Sequence, residues 1–104
     1  MTRLAALAIA AALPVCALAA DPPGRAKAQP CSVCHGAAGI SVQPDAPNLA
    51  GQPREYLVKE LKAFRSGKRQ SDVMNLMARP LTDDDIAALA DWYSSIAIEA
   101  REKS

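Results

Sequence analysis

Aromatic side chains are scarce in this 104-residue chain, which has one tryptophan, two tyrosines and one phenylalanine. So few rings cannot fill a core, and a domain this small buries too little surface to be comfortably stable without an added staple. Histidine is scarcer still, His35 standing alone, so no site that needs a second imidazole as its base can be built. Neither charge is in excess, with twelve basic and eleven acidic residues, and the basic footprint expected of a nucleic-acid binder is missing. Strand-like alternation, internal repeats and low-complexity segments are absent. The periodicity that remains is helical, which predicts an all-α fold.

What is present begins with a leader. Arg3 precedes an apolar run from Leu4 to Leu13, followed by Pro14, Val15, Cys16 and the small-residue stretch Ala17, Leu18, Ala19, Ala20. One positive charge, a short apolar core and an A-x-A site make the layout of a secretory signal peptide. A spanning helix needs about 20 uninterrupted apolar residues, and Pro14 and Asp21 interrupt this run. Cleavage is expected after Ala19 or Ala20, which makes residues 1–20 a removed signal peptide and residues 21–104 one exported domain. Cys16 is a poor lipidation site, because Val15 stands where a small residue is usual. Once the leader is gone, only Cys31 and Cys34 remain as cysteines, and the loss of Arg3 leaves eleven basic residues against eleven acidic ones.

Along the mature part, Pro22 or Pro23 can open a helix of at most two turns, which Pro30 discourages from continuing. Residues 31–51 hold three glycines, two prolines and no helical period, and read as an extended loop organised by a ligand. Pro53 suits the first position of a helix whose face is Tyr56, Leu57, Leu61 and Phe64, with Lys59, Lys62 and Arg65 turned away and Gly67 as its stop. Lys68 to Pro80 shows no strong period and reads as a loop. Thr82 as N-cap, the acidic run Asp83 to Asp85, and Leu81 placed to staple against Ile86 mark the last helix. Its stripe of Ile86, Leu89, Ala90, Tyr93, Ile96 and Ala97 predicts a helix reaching about Glu99.

The chemistry sits in Cys31-Ser32-Val33-Cys34-His35. This is the C-x-x-C-H signature for covalent attachment of haem c. Two thiols so spaced can reach two vinyl groups on one porphyrin edge, while the adjacent imidazole reaches the iron from the same side. A redox dithiol would sit after a strand and open a helix in a βαβ setting, which Pro30 and Gly36 do not suggest. A zinc site would need more cysteine or histidine ligands than remain.

With these residues in view, the chain resembles a small class I cytochrome c, of the bacterial periplasmic type found as single-haem carriers and as halves of dihaem cytochromes. The matching residues are Cys31 to Gly36, Pro47 to Gln52, Tyr56-Leu57, Met74 to Met77, Leu81 to Ile86, and Trp92-Tyr93. The resemblance implies a cytochrome c fold of three to four helices around one covalently bound haem c, and electron transfer in the periplasm. It implies a second axial ligand from a methionine before the last helix. Met74, eight residues before Thr82, matches the ligand position, and Met77 matches a second methionine often seen there. His35 and Met74 would then ligate the iron, a pairing that raises the reduction potential and leaves no open site. The Pro47 carbonyl would accept a hydrogen bond from the second ring nitrogen of His35 and fix the imidazole plane.

The resemblance also implies that an aromatic residue at Trp92 packs the last helix across the first, although the first helix is short, proline-bounded and offers only alanines, which weakens that contact and places Trp92 closer to the surface. Lys59, Lys62, Arg65, Lys68, Arg69 and Arg79 form a candidate docking patch for an acidic partner. The expected partners are donor and acceptor redox proteins, periplasmic or membrane-bound, with no nucleic acid and no membrane span. Two other roles stay open: a haem sensor or small peroxidase-like protein with an open or labile sixth site, and a bound subunit of a larger oxidoreductase.

Overall fold

The computed structural model describes residues 1–15 and 20–104. Cys16 and Ala19, on which the leader reading turns, lie outside the described residues. Residues 1–15 have no regular structure, and Leu4, Leu7, Ile9 and Leu13 are exposed. Every regular element among the described residues is helical: α1 (Pro23–Lys27), α2 (Ser32–His35), α3 (Arg54–Ser66), α4 (Asp72–Ala78) and α5 (Asp83–Ser94). The first two are single turns, and α1 nonetheless packs on α5 alongside the three longer helices. No strand is present among the described residues.

Proline sets where the chain begins to coil. Pro22 caps α1 in an extended conformation and Pro23 fills its first turn, where a missing N–H costs nothing. Pro53 likewise caps α3, one residue ahead of the position expected for it, and Gly67 ends that helix. Leu57 is buried on the α3 face, with Val58 and Leu61 partly buried against the core, whereas Tyr56 is exposed at the rim. Arg65 does not turn away to solvent as the helical wheel suggests. Its guanidinium donates to the Leu81 carbonyl at 3.1 Å and to the Asp83 carboxylate at 2.7 Å, tying the end of α3 to the start of α5.

Two stretches read as loop are partly helical. One is α2, a single turn inside the 31–51 segment. The other is α4, where the Ser71 hydroxyl accepts from the Met74 N–H. A seven-residue helix is too short to show a period, but its N-cap serine was legible. At the other end, α5 stops at Ser94 rather than near Glu99. The Tyr93 carbonyl is taken by the Gly51 N–H at 2.9 Å, and the Ser94 and Ser95 hydroxyls bond back to carbonyls within the helix. Those bonds divert the carbonyls that another turn would use. Ile96 still packs on the core, but Ala97 is exposed.

The core joins Ala28, Leu57, Leu89, Ala90 and Tyr93. Ile86 is fully enclosed beside it. α1 packs on α5, and α3 packs on both α4 and α5. The contact between α1 and α5 is closer than alanines would permit, because the buried residue there is Gly24. A Cβ built on Gly24 would lie 2.0 Å from the Ala88 carbonyl oxygen and 2.7 Å from Trp92 Cβ. Trp92 is therefore not pushed to the surface but half-buried at this crossing, with the Arg25 guanidinium 5.7 Å from its ring centre. The α1–α5 pair is also bridged by Lys27 and Asp85 at 2.5 Å.

Gly24→Ala is expected to cost about 1–3 kcal/mol of stability through overpacking at this crossing, read by denaturant unfolding. A wild-type midpoint in Gly24→Ala would show that the two backbones are not in contact. A second expectation concerns acid. The Lys27 ammonium, followed by the Thr82 N–H, holds the Asp85 carboxyl down from its ordinary 3.8 to about 2. A carboxyl depressed on folding stabilises fully above its unfolded value and loses that contribution as pH falls through the folded one. Asp85→Asn should therefore flatten the fall in stability between about pH 4 and pH 2, followed by the helical circular dichroism signal.

Candidate functional site

Between α2, α3 and α4 lies a cavity of about 500 Å³, inside the roughly 300–1,000 Å³ range of small-molecule and cofactor sites. Its lining is mostly apolar. α3 contributes Leu57, Leu61 and Phe64, and α5 contributes Leu89 and Tyr93. Into this space the chain brings Cys31, Cys34, His35, Pro47, Met74 and Met77. All five residues singled out in the sequence as site candidates thus meet at one cavity, and so does the rival methionine.

The C-x-x-C-H segment is wound into one turn. Cys31 caps α2 in helical conformation, and its carbonyl accepts from the His35 N–H at 2.9 Å. Three-residue spacing on a helix places two side chains on one face, so both sulfurs stand on the same side. Both are free thiols and half-buried. Burial pushes the Cys31 thiol up, against a weaker opposing pull from the Tyr93 side chain. A redox dithiol needs the opposite, a thiol lowered towards neutrality. Among the described residues, no group of three or more His, Cys, Asp or Glu converges on a metal.

Gly36 follows with φ of 82°, and a Cβ there would lie 1.8 Å from the Ile40 carbonyl oxygen. A side chain at this position would be strained in backbone and blocked in space. The turn opens the 36–51 loop, which closes through its own hydrogen bonds. The Leu49 and Ala50 amides both donate to the Gly39 carbonyl, at 2.8 and 3.0 Å. The Asn48 side chain accepts from the Ser41 amide at 2.7 Å. This closure leaves the Pro47 carbonyl 2.8 Å from His35 Nδ1. The imidazole is nearly buried, 7% exposed, and with Nδ1–H donating, its Nε2 keeps the lone pair that a metal would need. In the sequence Gly36 and Asn48 enter only as residues of the matching pattern, without a role, and Ser41 not at all. The dipeptide of a small polar residue before a proline or after one marks turns, but nothing local links Ser41 to Asn48.

Met74 sits in the first turn of α4 and is half-buried, whereas Met77 is 38% exposed. Of the basic residues considered for docking, Arg65 is engaged with Asp83 as above, and Arg69 pairs with Glu60 at 2.8 Å and lies 4.6 Å from the Phe64 ring centre. Two of the six charges are thus spent within the molecule.

A covalently held porphyrin fits the lining of this cavity. Two thiols on one side of a turn, an imidazole pinned through one nitrogen, a thioether on α4 and an apolar lining are the donor set it needs. The buried Tyr93 hydroxyl, at the same cavity, has no hydrogen-bond partner among the described residues. A buried hydroxyl is rarely left so, and a group filling the cavity would change its surroundings.

Fold and site together define a small all-helical domain built to hold haem c. The chain belongs to the cytochrome c family, whose pattern matches residues 23–97. It carries its haem through Cys31 and Cys34, with His35 adjacent, as the family's attachment motif does. It is similar to cytochrome c-554(548) of Halomonas halodenitrificans, at 43% identity over 75 residues that cover 69% of this chain and 90% of that one. It is 42% identical to cytochrome c4 of Pseudomonas aeruginosa over 72 residues, 69% of this chain and 36% of the relative. A thiosulfate dehydrogenase electron acceptor of Stutzerimonas stutzeri is 41% identical over 69 residues, 64% of this chain and 32% of that protein.

The crystal structure of reduced cytochrome c4 from Pseudomonas stutzeri superposes with a TM-score of 0.69 at 35% identity, covering 76% of this chain and 47% of the other. The chain therefore spans about a third of the longer relatives and resembles one half of a dihaem protein. Relatives of this kind are electron-transfer cytochromes.

Because both thiols stand at one edge of the cavity, haem should stay with the polypeptide through acid and organic extraction of the protein matured in an export-competent host. The double variant Cys31→Ser/Cys34→Ser should release whatever porphyrin it binds, read by absorbance of the extracted fraction and by intact mass. Extractable haem in the wild-type protein would contradict covalent attachment.

Proposed function

We propose that the mature domain, residues 21–104 after removal of a signal peptide, is a periplasmic carrier of single electrons on a haem c ligated by His35 and Met74, and that it performs no catalysis of its own. The observation that carries this reading is the meeting of a pinned imidazole and a half-buried thioether at one apolar cavity. Haem c, when bound, would supply an iron able to take up and give up one electron, and His35 and Met74 are the residues that would hold it.

The chain's own residues do the rest. The Pro47 carbonyl holds the Nδ1 proton of His35 at 2.8 Å, which fixes the tautomer, orients the ring and raises its basicity as a ligand. Leu57, Leu61, Phe64 and Leu89 keep water from the cavity. A neutral sulfur ligand and a dry lining both favour the less charged, reduced state. With no second histidine in the chain, the cavity has no further imidazole to serve as a base for peroxide chemistry.

Export is supported by the leader pattern, and no helix among the described residues is long and apolar enough to cross a membrane. Donor and acceptor are then redox proteins of the periplasm or the membrane surface. Lys59, Lys62, Lys68 and Arg79 are the members of the basic patch that are exposed and form no ion pair among the described residues.

Met74→Ala is expected to abolish the weak far-red band that sulfur ligation gives ferric haem, and to lower the reduction potential by on the order of 0.1 V, within the roughly 0.8 V range that axial ligands span. Met77→Ala should keep the band. The measurements are the oxidised spectrum and a redox titration of both variants. Loss of the band in Met77→Ala alone would transfer the ligand role to Met77, and rapid binding of carbon monoxide to the untreated protein would replace the carrier with an open-site sensor.

A further inference from the structure

α4 carries the proposed ligand, yet its own apolar burial is slight. Ala78 is its one buried residue, while Val73 and Leu76 are 59% and 65% exposed. A short helix with so few buried contacts belongs to the low-stability end of a structure and opens readily unless something else ties it down. What ties it is Asn75. Its side-chain amide donates to the Phe64 carbonyl and to the Arg69 carbonyl, both at 2.8 Å. Its side-chain oxygen accepts from the Ser71 N–H, also at 2.8 Å, and its own N–H donates to the Ser71 carbonyl at 2.9 Å.

These bonds join three places. Phe64 lies in the last turn of α3, where its carbonyl accepts from the Gly67 N–H at 3.3 Å, and Asn75 adds a second donor from another element. Arg69 is itself held against the Phe64 ring and the Glu60 carboxylate, so its carbonyl is a fixed anchor. Ser71 is the N-cap of α4, and its hydroxyl accepts from the Met74 N–H at 3.2 Å. The path from the body of α3 to the backbone of Met74 therefore runs through the Asn75 amide and the Ser71 cap.

We propose that Asn75 is a positioning residue that keeps the Met74 thioether at the cavity, by lashing the first turn of α4 to the end of α3. This rests on Met74 being the ligand, and the two claims fail differently. Without the amide, α4 opens more often and the sulfur leaves its place for a larger fraction of the time. An outside ligand competes for the iron in proportion to that open fraction.

The test uses the holoprotein, with imidazole as the competing ligand. Asn75→Ala should raise the apparent affinity for imidazole about tenfold at neutral pH, because affinity scales with the fraction in the competent state and several hydrogen bonds are lost. Its far-red ferric band should disappear at correspondingly lower imidazole. Asn75→Asp keeps an oxygen for the Ser71 N–H but loses the donor to Phe64 and Arg69, and it should shift in the same direction. If Asn75→Ala does not accumulate with haem, Asn75→Asp carries the test alone.

Denaturant unfolding of each variant separates the two kinds of role. Lowered global stability with imidazole affinity and far-red band at wild-type values would make Asn75 a structural residue only and overturn the proposal. A far-red band that survives in Met74→Ala would instead remove the ligand assignment on which it stands.

Discussion

The hydrogen bond from His35 to the Pro47 carbonyl is the constraint on which the rest of the site depends. It joins residues twelve positions apart and is made only when both the α2 turn and the 36–51 loop are in place. A nearly buried imidazole N–H without a partner would cost about 1–3 kcal/mol. The bond therefore couples the geometry of the attachment motif to the closure of a loop that has no helix of its own. Ser41, Asn48 and the Gly39 carbonyl close that loop from within. These internal bonds give the loop its shape. It presents one oxygen at a set place and thereby decides which nitrogen of His35 is left for a metal.

Around this constraint the protein is economical with apolar surface. Its core is built largely of alanine, with Leu57, Ile86, Leu89 and Tyr93 as the larger buried side chains. Polar bonds at the element ends supply much of the definition: the reciprocal Thr82–Asp85 box at the start of α5, Arg65 across to Leu81 and Asp83, Lys27 to Asp85. Each is modest, and exposed ion pairs count for little singly. Together they fix where helices begin and how they cross, while a 500 Å³ apolar cavity is left in the middle. A covalently held ring filling that cavity completes a core that four aromatic residues cannot, which answers the shortage evident in the composition.

Legibility in the sequence followed the range of the interaction. The C-x-x-C-H motif, the Leu57 and Leu61 side of α3, its Gly67 stop and the Thr82 N-cap are local signals, and they sit where residue types place them. The 64–75 clasp and the Ser41–Asn48 bond were illegible because each joins a side chain to a backbone group several residues off, and nothing in the pattern names the partner. The part played by Gly24 is illegible for a different reason. A glycine near a proline reads as a breaker, whereas here it is the point where α1 and α5 touch backbone to backbone. The premature end of α5 belongs with these, since it turns on Gly51 taking a carbonyl that the apolar stripe alone would leave to the helix.

The two walls of the cavity are held by unlike means. On the α2 side, the motif is one helical turn, the imidazole is fixed from behind, and two covalent bonds to the porphyrin would add to both. On the α4 side, one buried alanine and a set of side-chain hydrogen bonds hold a single thioether. Electron transfer at constant ligation asks that both walls stay still, because any rearrangement on changing oxidation state adds to the barrier. The covalent side meets that demand by its chemistry. The other side depends on the bonds that reach it from Asn75, so the place of the Met74 thioether, the proposed ligand, is set through a side chain that does not itself line the cavity.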